Sequence, residues 1–206
     1  MDKPQEKLIL LYIELEVKLM DSLIEIPSVD LDILAELSRC LLASSITAFG
    51  FIFRRIGLLE DYLEEGLFKK RVLGILGKLY IFCYLSLLDD RDYLWKMGPS
   101  IKDEDLYLVY RRTFEPSPPK IEFYANSLLR DGDESRIPML LRWIFTTVFR
   151  RRKAEQHEDD VEFLTPIVSS VFRNTADYVL GRDIEEEEYN PYYFASEGYS
   201  EEEIDG

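Results

Sequence analysis

Apolar residues in this chain recur three and four positions apart along most of its length, and nowhere do they alternate one-in-two between hairpin turns. A helix of 3.6 residues per turn puts positions i, i+3, i+4 and i+7 on one face, whereas a half-buried strand needs a period of two. Leu8, Leu11, Leu15, Leu19 and Leu23 set the pattern, with Ile13, Val17 and Ile24 widening the same stripe. The spacing predicts an all-α fold, a single bundle of about six to eight helices. With 206 residues, 47% of them apolar, the chain can bury one core of ordinary size.

Punctuation divides the pattern into elements. The first helix is expected from about Gln5 to Ile26, ended by Pro27, with Ser28 or Asp30 capping the next. That second helix starts near Leu31 and can run to about Glu65, with Gly50 and Gly57 as places for a kink or break. An apolar helix over about 67–96 follows, its run Val72–Leu88 expected at the centre of the bundle, where Gly74 and Gly77 let neighbours approach. Gly98-Pro99-Ser100 is a loop, and Asp103–Phe114 a short helix with acids in its first turn. Pro116, Pro118 and Pro119 stiffen a connection that could split the chain into two layers near 98–119. Helices over about 120–130 and from Pro138 to about Gln156 come next. For the last helix, Thr165 reads as the N-cap, Pro166 as the first helical residue and Gly181 as the C-cap.

Residues 183–206 differ from everything before them. They hold ten carboxylates, five aromatics and no basic residue. So much like charge with so few aliphatics cannot bury enough apolar surface to offset the entropy of ordering, so the segment is expected to be a disordered arm attached to a helical domain of residues 1–182. Its aromatics, Tyr189, Tyr192, Tyr193, Phe194 and Tyr199, exceed what a solubilising tail needs and fit a segment that docks on a protein partner.

The net charge of −15 argues against a general nucleic-acid binder, since phosphate contact needs clustered positive charge. Local basic clusters do occur. Arg150, Arg151, Arg152 and Lys153 form the densest, with Arg142 two turns back, and Lys69, Lys70 and Arg71 open a helix where the dipole disfavours cations. If Arg142 and Arg150–Lys153 line a groove, it would suit an anion, an acidic peptide or the chain's own arm, which could then act as an autoinhibitor. Otherwise these cations pair with the chain's many acids.

No catalytic constellation is legible. His157, the single histidine, stands between a basic and an acidic run without a serine or cysteine elbow to serve, and reads as a surface residue near a helix end. One histidine cannot furnish the paired Glu-x-x-His motifs of a helical di-metal site. Asp131-Gly132-Asp133 opens like a calcium loop, but Arg136 and Arg142 stand where such a loop needs glycine and glutamate. Cys40 and Cys83 lie far apart in apolar contexts without a CxxC, as expected of reduced core residues in a cytoplasmic protein. No cofactor, metal or membrane span is expected. Val72–Leu88 comes nearest to a span but is short and carries Lys78 near its middle.

The stretch Leu106, Tyr110, Arg112 and Phe114, then Pro118, Pro119 and Tyr124, resembles the run that ends in a proline-rich turn in the all-helical chaperones of the TorD/NarJ type, which mature molybdenum oxidoreductases. The resemblance covers a short part of the chain. The Asp-His pair that follows in that family is missing, because Gln156 precedes His157, so no functional residue is carried over. It implies a helical chaperone holding a client peptide. The composition itself points to a non-enzymatic adaptor or accessory subunit acting through protein contacts. An accessory factor of a nucleic-acid complex, using a local basic patch, is the further alternative.

Overall fold

The computed structural model describes residues 3–27, 31–65, 69–88, 103–114, 136–149 and 157–179. Among them are seven helices and no strand: α1 Lys3–Ile24, α2 Leu31–Arg55, α3 Leu59–Glu64, α4 Lys70–Leu88, α5 Asp103–Phe114, α6 Arg136–Phe149 and α7 Glu158–Val179. The expected helix over 120–130, the polar turn at 131–133 and Gly181 lie outside the described residues, as do the arm at 183–206 and Arg150–Lys153.

The helix at the centre is α2. It packs against α1, α3, α4, α5 and α7, and every residue from Cys40 to Gly50 is buried. A helix encased on all sides must be apolar or small all round, and this segment alternates Leu41, Leu42, Ile46 and Phe49 with Ala43, Ser44, Ser45 and Ala48. The hydroxyls are tolerable because they bond backward along the helix. Ser45 Oγ donates to the Leu41 carbonyl at 2.6 Å and Thr47 Oγ1 to that of Ala43 at 2.9 Å. The sequence had pointed to Val72–Leu88 for this position. α4 is its neighbour in the core, also packing on α5, α6 and α7, while its Gly74 faces outward. Among the described residues, α2 is also the one helix long and apolar enough to cross a membrane by length and composition, with most of that stretch buried inside the fold.

Gly57 breaks the expected helix over 31–65. Its φ of +69° lies in the left-handed region, and Gly57 N–H reaches the Arg54 carbonyl at 3.0 Å while Leu58 N–H reaches that of Phe53 at 2.9 Å. This pair of bonds is a Schellman termination, with glycine at the position that L side chains avoid. Gly50, by contrast, passes through the helix without a break.

The last helix begins earlier than Thr165. Glu158, Asp159 and Asp160 occupy its first turn, where the dipole favours acids. Thr165 is interior and donates its hydroxyl to the Val161 carbonyl at 2.6 Å, so it caps nothing. Pro166 is likewise interior, on the solvent face, where water can serve the carbonyl left without an amide partner.

α5 has the predicted bounds and packs on α1, α4 and α2. Its approach to α4 depends on Gly77, where a Cβ would stand 3.1 Å from both Phe114 Cβ and Tyr110 Cε2. Gly74 has nothing within 4 Å and serves no close approach.

Candidate functional site

Where α6 meets α7, the sequence-predicted Arg142 makes a two-pronged bond to Glu158, Nε to Oε1 at 2.8 Å and Nη2 to Oε2 at 2.9 Å. The guanidinium hydrogen bonds hold the Glu158 carboxyl below the usual glutamate range and push Arg142 further up. Beside this pair, His157 stacks on Phe149 with centroids 4.3 Å apart and lies 5.3 Å from the Phe145 ring. Its Nδ1 stands 3.4 Å from Asp160, which also accepts a bond from Arg55 Nε at 3.1 Å. Arg55 in turn lies over the Phe163 ring, 4.2 Å from its centroid.

His157 therefore sits at the start of α7 rather than at the end of the helix before it, and its side chain is mostly covered, with the Phe149 and Phe145 rings against it. No serine or cysteine nucleophile is bonded to it among the described residues. What the corner does is tie α2, α6 and α7 together.

The other basic clusters behave similarly where they are described. Arg112 Nη1 reaches Glu25 at 3.0 Å and the Ser22 carbonyl at 3.3 Å. Lys69 stands 3.9 Å from Glu65, and Arg71 interacts with Tyr62. Arg39 meets Glu16 at 3.0 Å and Lys7 meets Glu64 at 3.2 Å. Lys78, mid-way along α4, lies over the Trp143 ring at 4.0 Å. The cations so described are spent on the chain's own acids and rings, Lys69 and Arg71 at the start of α4 among them, while Lys70 there stands exposed.

Polar groups in the core form a second cluster. Ser44 on α2 and Thr175 on α7 share a short hydrogen bond, and both hydroxyls act on the Cys83 thiol on α4. Cys40 and Cys83 are free and buried. Burial pushes the Cys83 thiol up to about 12, against the opposing pull of the two hydroxyls. The thiol stays neutral and shielded, so neither nucleophilic nor redox chemistry is available to it in the folded state. In the native protein, Cys83 is expected to resist a thiol reagent such as Ellman's and to react stoichiometrically once guanidinium unfolds the chain. Fast reaction without denaturant would contradict this core. No group of three or more metal-ligating side chains occurs among the described residues.

An open cleft of about 430 Å³ lies between the start of α2 and the end of α7, lined by Asp32, Ile33, Glu36, Leu37, Tyr178 and Val179. Tyr178 donates to Glu36 Oε1 at 3.3 Å across it. Asp32 and Glu36 make its lining acidic, which disfavours an acidic segment there. The cleft is a poor dock for that segment.

The most unusual surface is on α1. Its inner face buries Leu8, Leu11, Tyr12, Leu15, Leu19 and Leu23 against α2, α3 and α5. The sequence spacing placed Ile13, Val17 and Ile24 on this face, but they do not widen it. Leu10, Ile13, Val17 and Ile24 are 50%, 44%, 57% and 79% exposed. With Met20, which is half-buried because it also packs against the core, they stand at 10, 13, 17, 20 and 24, a three-four repeat whose exposed members lie roughly opposite the buried stripe at 100° per residue. α1 thus carries two interleaved apolar stripes, and only one belongs to the core. The signal was present in the sequence as more apolar residues than a single face can hold.

Comparison with protein-family models, curated proteins and solved structures gives no match for this chain.

Proposed function

We propose that this protein is a non-enzymatic adaptor or accessory subunit that works by holding other proteins, with the acidic aromatic arm at 183–206 as a second docking element. The observation that carries the proposal is the outer stripe of α1. Four large apolar side chains stand in solvent on a helix whose opposite face is already packed. Scattered exposed apolar residues need no explanation, but a contiguous apolar stripe marks an interaction surface. The ion pairs of Arg55, Arg112 and Arg142 weigh against an open basic groove on the described body, whereas Arg150–Lys153, on which the autoinhibitory form of the arm rests, lie outside the described residues. The chaperone alternative shares the exposed apolar surface and differs in what is held.

The test is affinity capture from lysate with three baits: residues 1–206, residues 1–182, and the full chain with Val17→Glu. The adaptor proposal expects a reproducible stoichiometric protein partner that is lost or weakened with either altered bait. Capture of many unrelated unfolded proteins by all three baits would favour the chaperone alternative. Capture of none would remove the proposal.

A further inference from the structure

The outer stripe of α1 has a spacing and a rim that define its occupant, an inference that rests on the adaptor proposal. Leu10, Ile13, Val17, Met20 and Ile24 occupy the alternating a and d positions of two heptads, the register in which a second helix inserts its side chains as knobs into holes. A sheet edge or an extended peptide would gain nothing from that repeat.

The rim selects the partner's charge. Glu14 and Asp21 stand exposed at the e positions, and Glu16 at the g position between them is tied to Arg39. Of the other cations along this edge, Lys7 is tied to Glu64, the half-buried Lys18 stands at a b position within one turn of both Glu14 and Asp21 and has an interaction of its own, and Lys3 lies beyond the stripe in the first turn. A second copy of the chain fits badly in either direction. Antiparallel pairing that sets Val17 of one copy against Met20 of the other, a against d, brings Glu14 of one copy toward Asp21 of the other, because e faces e. Parallel pairing sets Glu16 against Asp21, because g faces e. Like charges across such a seam are repulsive, and the net charge of −15 on each copy adds to the penalty. An anionic lipid surface is disfavoured by the same acids.

We propose that the outer face of α1 docks an amphipathic helix of another protein, with apolar residues in a three-four repeat and lysine or arginine flanking them. The docked helix and α1 form a two-stranded seam, and the partner's cations meet Glu14 and Asp21.

The experiment titrates the full chain into two fluorescein-labelled helical peptides with identical isoleucine and leucine seams, one with lysine and one with glutamate at every e and g position. Fluorescence anisotropy is read at low and high salt. The lysine peptide is expected to bind at least about tenfold more tightly than the glutamate peptide, with affinity falling as salt rises. Val17→Glu is the decisive variant. It makes the protein more acidic, so unspecific attraction for a lysine peptide would strengthen, whereas docking on the stripe should weaken at least about tenfold. Circular dichroism and the unfolding midpoint of the variant establish that it folds. Equal binding of both peptides, undiminished binding to Val17→Glu, or no binding of the lysine peptide would overturn the proposal. So would a dimer of the unmodified chain, seen by sedimentation and dispersed by Val17→Glu, or retention on phosphatidylcholine–phosphatidylserine vesicles. If the seam peptides fail while partner capture still depends on residues 183–206, the adaptor proposal stands and this assignment of the α1 face falls.

Discussion

Phe53→Ala is expected to cost about 3–5 kcal/mol, enough to unfold a marginal domain of this size near physiological temperature. Phe53 is fully buried at the end of α2 and stacks between Phe49 and Tyr62, with centroids 4.3 Å from each. It is also the residue whose carbonyl accepts the Leu58 amide in the Gly57 termination, so the ring anchors the turn as well as the core. Deleting it leaves a cavity bounded by α2 and α3 that rigid helix backbones cannot fill. Urea unfolding followed by circular dichroism measures the loss. A cost below about 1 kcal/mol would mean that the core re-packs around the gap and that α2 is not its organising element.

Gly77→Val is expected to destabilise by about 1–3 kcal/mol, toward the upper end because the added side chain branches at its first carbon. The first added carbon would already stand 3.1 Å from Phe114 Cβ and Tyr110 Cε2. Neither neighbour has room to retreat. Both are buried, and their rings pack on Tyr80 with centroids 5.3 and 6.2 Å from it. Gly74→Ala on the same helix is the internal control, since nothing lies within 4 Å of its added carbon. It should stabilise α4 by up to about 1 kcal/mol through helix propensity. Opposite signs at two glycines one turn apart would separate a packing requirement from a general intolerance of α4 to substitution. Equal effects at both would contradict the close approach of α5.

Local periodicity carries most of the fold, and particular residues mark where it stops. The 3.6-residue pattern and helix-stop signals suffice for α1, α4 and α5, because each depends mainly on its own sequence. They fail at Thr165-Pro166, where the cap signature is genuine but tertiary packing of Val161 and Leu164 extends the helix back to Glu158. They fail again in choosing the central helix, because Ser44, Ser45 and Thr47 look polar until their hydroxyls are bonded within the helix or to Thr175. The candidate site was least legible. Periodicity identifies which residues of α1 are apolar, but it cannot say which face meets the core, so Ile13 and Val17 merge with Leu11 and Leu15 until neighbouring helices are in place. The basic clusters show the converse. Arg142 looks like a free anion site in sequence because Glu158 is sixteen residues away, and only the packing of α6 on α7 brings the two together.

The central claim is that α1 spends one face on the fold and keeps the other for a partner. Urea unfolding of the double variant Ile13→Glu, Val17→Glu tests it directly. Residues standing in solvent contribute little to folding, so an unfolding free energy within about 0.5 kcal/mol of that of the unmodified chain is predicted. A loss greater than about 2 kcal/mol would mean that the chain itself covers this face in solution, and it would contradict the account.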